Sequence, residues 1–123
     1  MEIFIHCYCK NDYGKVLVQK YKRIKMSGLL DNVEKITVTV SNFRAEDNFF
    51  FEEFKKLSEK INVHILQEIV IGDECDTFNF LKKYVENFEQ NKPILYCHTK
   101  GVSQLHPIDR KNIDQWTKFM DFW

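Results

Sequence analysis

Along this chain the spacing of apolar residues switches repeatedly between a period of two and a period of about 3.6, which admits little besides strands interleaved with helices. Ile3, Ile5 and Cys7 alternate with Phe4, His6 and Tyr8, the repeat of a strand. From Tyr13 to Met26, Leu17, Tyr21 and Ile24 recur at helical spacing, and Ser27-Gly28 supplies a stop. Lys35 to Ser41 sets Ile36, Val38 and Val40 against Thr37 and Thr39, a β-branched strand with one buried face. Phe50, Phe54, Leu57 and Ile61 then fall on one helical stripe. Val63 to Leu66 returns to strand, with Ile69-Val70-Ile71 as a continuation that Gly72-Asp73-Glu74 ends. Leu81, Tyr84, Val85 and Phe88 mark a third helix, with Asp76 or Thr77 as its N-cap. Pro93 opens Ile94-Leu95-Tyr96-Cys97, an apolar run of the kind found in central parallel strands. A polar loop from His98 to His106 leads to Pro107 and a last helix bearing Ile113, Trp116, Met120 and Trp123.

Strands expected near residues 2, 35, 63 and 94 are spaced by roughly the 30 residues of a βαβ unit. Such units in series predict a Rossmann-like α/β fold, a four-stranded, mainly parallel sheet with helices on both faces. With 123 residues the chain has the length of one domain, spanning 1–123. Eighteen basic residues balance eighteen acidic ones. The bulk charge that draws nucleic acid or anionic lipid is therefore missing, and neither a nucleic-acid nor a membrane partner is expected. The one basic concentration, Lys20 to Lys25, reads as a solvated helix face or, less simply, as a local polyanion contact. No apolar run reaches the length of a membrane span, and Met1-Glu2-Ile3 lacks the basic start of a secretory signal, so a cytoplasmic protein is expected.

Cys7, Cys9, Cys75 and Cys97 read as free thiols packed as small hydrophobes, because no secretory signal supports a disulfide framework. Cys7-x-Cys9 and Cys97-His98 lack the ligand gaps of a zinc finger. His6 and His64 read as packed rather than catalytic, and Phe49-Phe50-Phe51 as core plus one exposed ring.

In an open parallel sheet, ligands bind beyond the carboxyl ends of the strands, near the reversal of strand order. Four segments belong on that rim: His6 to Asp12, Ser41 to Glu46, Gly72 to Thr77 and His98 to Gln104. The four glycines form neither a dinucleotide fingerprint nor a P-loop, which disfavours both corresponding enzyme classes. The turn His98-Thr99-Lys100-Gly101 is the richest in chemistry. Lys100 can neutralise a phosphate, Thr99 and the amide of Gly101 can donate to its oxygens, and glycine permits close backbone approach.

Tyr96-Cys97-His98-Thr99-Lys100-Gly101-Val102-Ser103, followed by Trp116 and Met120-Asp121-Phe122, resembles the Tyr-x-His-Thr-Lys-Gly segment of small glycosyltransferase-like proteins of large DNA viruses, algae and bacteria, relatives of the GT-A nucleotide-sugar transferases. Ser27-Gly28-Leu29-Leu30-Asp31 is similar to that group's Ser-Gly-Leu-Tyr-Asp segment, and Glu74-Cys75-Asp76-Thr77-Phe78 to its Glu-x-x-Thr-Leu helix start. The resemblance implies a glycosyltransferase-like domain that binds a nucleotide-diphospho-sugar donor through His98, Thr99, Lys100, Gly101, Glu74 and Thr77. It implies His98 as candidate acid or base, a glycan or glycoprotein acceptor, and the host cytoplasm as location if the protein is viral. A divalent ion, Mn2+ or Mg2+, often bridges the diphosphate in such proteins. No Asp-x-Asp motif follows the fourth strand, and Glu74 with Asp76 is the nearest candidate metal pair. The acceptor half with its Gly-Asn-Phe-Trp-Trp-like segment is missing from this chain, so a truncated product is expected. The apolar end Phe119 to Trp123 is expected to meet the sheet, a second copy or a partner chain. Two readings compete with this one: a catalytically inactive α/β interaction or donor-binding module, and a flavodoxin-like regulatory domain, which Asp12 alone supports poorly.

Overall fold

The computed structural model describes residues 1–66, 74–87 and 92–99, with Lys111 and Gln115; the side chain of Glu74 is not among the described parts. The elements run β1 (Glu2–Tyr8), α1 (Tyr13–Met26), β2 (Lys35–Ser41), α2 (Asn48–Lys55), β3 (Ile61–Ile65), α3 (Glu74–Glu86) and β4 (Ile94–His98), with short 3-10 turns at Leu29–Asn32 and Ala45–Asp47. The four strands form one sheet in the order β3-β2-β1-β4, and every pair is parallel. This is the expected Rossmann-like α/β architecture. Strand order grows one way from β1 to β3, then crosses back to place β4 on the other side of β1, so the order reverses between β1 and β4.

Side-chain alternation separates two faces. Ile3, Ile5 and Cys7 stand in register with Ile36, Val38 and Val40. Together with Leu17, Tyr21 and Ile24 of α1 and Phe51 and Phe54 of α2 they make one core. Each such side chain fully buried contributes about 1.5–3 kcal/mol. On the opposite face Phe4 packs against Phe80 and Tyr84 of α3, with ring centroids 6.3 and 5.1 Å apart. Helices therefore cover both faces.

Helix α1 has the predicted bounds. Its last turn closes through the amide of Ser27 on the carbonyl of Arg23, and Gly28 follows at φ 76°, the left-handed conformation glycine adopts without strain. Arg23 and Lys25 in that turn suit the negative end of the helix dipole.

Several expectations change. Thr37 and Thr39 are buried along with Ile36, Val38 and Val40, so both faces of β2 are covered and not only the one its alternation marked. Leu57 and Ile61 do not extend α2, which ends at Lys55. The backbone turns at Ser58, whose carbonyl accepts from the amide of Ile61, and Ile61 becomes the first residue of β3. Among the described residues β4 pairs only with β1, and Ile94 and Leu95 are partly exposed. His64 is exposed, although its ring rests against Phe80. Asp76 and Thr77 stand inside α3 rather than capping it. The continuation at Ile69-Val70-Ile71, the break at Gly72-Asp73 and the last helix with Ile113, Trp116, Met120 and Trp123 lie outside the described residues.

Leu17 is fully buried between α1 and the sheet. Leu17→Ala should lower the unfolding free energy by about 2–5 kcal/mol with an unchanged denaturant slope, read from urea titrations.

Candidate functional site

The carboxyl ends of β1 and β2 open into a cleft of about 410 Å³ lined by Tyr8, Cys9, Lys10, Asn11, Tyr13, Asn42, Arg44, Glu46 and Asp47. Two of the four predicted rim segments build it. Asn11 and Asn42 follow the two strands at φ 53° and 57°, in the left-handed region that asparagine tolerates better than most residues. Asn42 donates from Nδ2 to the carbonyl of Cys9 at 2.6 Å, and the amide of Cys9 donates to the carbonyl of Ser41 at 3.0 Å. The exits of β1 and β2 are thereby tied together. Across the cleft, Asp47 accepts from the Tyr13 hydroxyl at 2.7 Å and from the Arg44 amide at 2.8 Å. Burial, reinforced by the Asp47 carboxylate, raises the Tyr13 phenol far above its ordinary range and keeps it protonated. Lys10 and Arg44 contribute cations to the lining, Glu46 and Asp47 contribute anions, and Tyr8 and Tyr13 contribute rings. The signals for Tyr13, Asn42, Arg44 and Asp47 were present in the sequence only as polar residues just past strand ends.

Beneath this rim, on the α3 face, lies a row of polar side chains. Register places His64 beside Thr39, Thr39 beside His6, and His6 beside His98. His6 Nδ1 is 2.6 Å from Thr77 Oγ1, which is 2.8 Å from Thr39 Oγ1, and Thr39 reaches the Ile5 carbonyl at 3.4 Å. A carbonyl only accepts, so all three contacts are met together when Thr39 donates to Ile5, Thr77 to Thr39, and His6 from Nδ1 to Thr77. His6 and Thr77 are buried, as is Thr39. The Thr77 hydroxyl is thus spent on fastening α3 to the sheet. Thr77 stands in the first turn of α3, with its hydroxyl turned to the sheet.

His98 closes β4 in a half-buried position, its ring stacked beside Tyr96. Thr99 is buried: its amide donates to the carbonyl of His6 at 3.0 Å, and its hydroxyl accepts from the Tyr8 amide at 3.3 Å. His98 and Thr99 therefore sit where strand order reverses, beside the end of β1. Lys100 and Gly101 lie outside the described residues, as does the side chain of Glu74. Asp76 is half-buried on α3. No three His, Cys, Asp or Glu side chains group to hold a metal among the described residues, so Asp76 has no described set of co-ligands for Mn2+ or Mg2+.

Cys7 and Cys9 are buried, Cys97 is half-buried and Cys75 is exposed, all four as thiols. Burial and the neighbouring Cys9 thiol push Cys7 well above the ordinary thiol range, and burial pushes Cys97 up to about 11. Cys7 and Cys97 stay protonated and behave as packing groups.

Comparison with protein-family models, with curated proteins and with solved structures finds no match to this chain.

Two predictions follow from the polar row. Thr77→Val strands His6 and Thr39 without their partner and should cost about 1–3 kcal/mol of stability, whereas Thr77→Ser should recover most of it. Equal urea midpoints for Thr77→Val and the parent would show that the hydroxyl is dispensable. Partial desolvation of the His64 ring where it rests against Phe80, and the Lys35 ammonium second, lower its pKa. The unfolded chain then binds a proton that the folded chain resists, so stability should fall as pH drops from ~6.5 through the lowered folded value. The fall should be shallower in His64→Gln, measured by urea midpoints between about pH 8 and pH 5.

Proposed function

We propose that this domain binds a nucleotide-diphospho-sugar over the carboxyl ends of its strands, as the donor-binding part of a GT-A-type glycosyltransferase. The observation that carries the reading is the cleft at the ends of β1 and β2, next to the reversal of strand order at which β4 delivers His98 and Thr99. Open parallel sheets take ligands in that place. The cleft's chemistry suits a nucleoside diphosphate. The rings of Tyr8 and Tyr13 offer flat apolar surface to a base, and the carboxylates of Glu46 and Asp47 offer acceptors to ribose hydroxyls. Lys10 and Arg44 supply positive charge for phosphates, with Lys100 as the further cation implied by the Tyr-x-His-Thr-Lys-Gly resemblance.

Sugar transfer asks the protein to stabilise negative charge building on the departing nucleoside diphosphate. Lys10 and Arg44 in the cleft lining would meet that demand, with Lys100 as the cation the resemblance implies. A divalent ion would add to it, but the described residues do not assemble a ligand set, and no step is derived through one. His98 is the candidate proton carrier, standing beside His6 at the end of β4. The acceptor would be a glycan or glycoprotein, and the compartment the cytoplasm.

A second reading, a donor-binding module without transfer activity, is favoured by the way His6, Thr77 and Thr99 spend polar atoms on bonds within the fold. Calorimetric titration with uridine and guanosine diphospho-sugars, with and without manganese, tests donor binding. Arg44→Ala and Lys100→Ala should each weaken binding at least about tenfold, as loss of a charge-assisted phosphate contact does. No heat with any donor, or unchanged affinity in both variants, would overturn the proposal. Donor binding without release of nucleoside diphosphate on long incubation would select the inactive module.

A further inference from the structure

The zero net charge conceals a lopsided distribution. Helix α1 carries Lys15, Lys20, Lys22, Arg23 and Lys25 and no acidic residue, five of the chain's eighteen basic groups. Leu17, Tyr21 and Ile24 turn into the core, which leaves Lys15, Lys22 and Lys25 exposed on the outward side. Lys20 and Arg23 are half-buried on the flanks and have interactions of their own. Three lysines elsewhere in the chain are neutralised locally. Lys55 pairs with Glu52 at 2.7 Å, Lys56 with Glu53 at 2.6 Å, and Lys92 with Glu34 at 2.6 Å. The cations at the end of α2 are thus paired with its own glutamates, whereas α1 has no acidic residue within it.

Two apolar side chains stand out in the same helical layer. Met26, at the end of α1, is 87% exposed, and Phe49, at the start of α2, is 75% exposed. Met26 lies on the helix side that bears Lys15 and Lys22, four residues beyond Lys22. A row of ammonium groups with an apolar tip beside it matches an anionic bilayer surface, where headgroups attract the charges and apolar side chains enter the acyl boundary. Nucleic acid is the poorer fit. Its phosphates and base edges are read best by arginine forks, and the outward side of α1 presents flexible lysine point charges without an aromatic platform.

We propose that the outward face of α1, formed by Lys15, Lys22 and Lys25 with Met26, is a docking surface for membranes bearing anionic lipid. It is a peripheral contact, compatible with the finding that no helix among the described residues is long and apolar enough to cross a membrane. The inference stands apart from donor binding, since it uses no residue of the cleft.

Each lysine at an anionic surface multiplies binding by about fivefold, so the three together are expected to give roughly a hundredfold preference for charged over neutral vesicles at low salt. The test is flotation of the full chain with phosphatidylcholine vesicles, alone or with about one third phosphatidylserine, at low and high salt. Binding should require the anionic lipid, fall in high salt, and drop at least tenfold in both Lys15→Glu/Lys22→Glu/Lys25→Glu and the milder Lys15→Gln/Lys22→Gln/Lys25→Gln. Met26→Gln should weaken it without altering its salt dependence. Equal binding to both vesicle types, or undiminished binding by both folded triple variants, overturns the proposal. Tighter binding to a single- or double-stranded oligonucleotide than to the anionic vesicles, lost in the same variants, would assign the face to nucleic acid and overturn the lipid assignment.

Discussion

Strand β1 is the constraint on which this architecture rests. It is hydrogen-bonded to β2 along one side and β4 along the other, and six of its seven residues are buried. Its two faces make different demands. Ile3, Ile5 and Cys7 require apolar cover, which the leucine, tyrosine and phenylalanine stripes of α1 and α2 provide. Phe4 and His6 on the other face require an element with both rings and a hydroxyl. Helix α3 supplies Phe80, Tyr84 and Thr77 on one side. The helix of the β3-to-β4 connection is thus placed in part by hydrogen bonding.

That polar underside has two further members, the hydroxyls of Thr37 and Ser41, which are buried and have no hydrogen-bond partner among the described residues. A buried hydroxyl left unpaired costs about 1–3 kcal/mol. His6, Thr39 and Thr77, by contrast, are hydrogen-bonded in a chain. The face is a mixture of bonded and unbonded polar groups directly below the rim on which the cleft and the end of β4 stand.

The alternation of hydrophobic periods made the strand-helix order legible, since burial imposes period two on β1 and β2 and helical spacing on α1. It located Tyr13 to Met26 because Leu17, Tyr21 and Ile24 and the glycine stop agree. It misread Ile61, because an apolar residue at the right helical offset looks the same whether the helix continues or a turn at Ser58 intervenes. It marked one face of β2 as buried and gave no sign that Thr37 and Thr39 are buried as well, because a threonine covered by a distant helix has no local signature. The site was legible as a place, the carboxyl ends of the strands, and less so as a set of residues. Thr77 and Thr99 stood out as hydroxyls for a ligand, yet their partners, His6 and the Tyr8 amide, come from positions 71 and 91 residues away in the chain. Such pairings are long-range facts of topology. Net charge, a sum over the whole chain, likewise hid the concentration of lysine on α1.

The bond from Asn42 to the carbonyl of Cys9 has a mechanical consequence. It bridges the two loops that flank the cleft, and the Tyr13–Asp47 bond bridges the helices that those loops lead into. With both crosslinks in place, the mouth is already shaped before any guest arrives. Little chain entropy would be left to lose on occupancy, so a ligand taken here would be selected by its fit to a preformed outline.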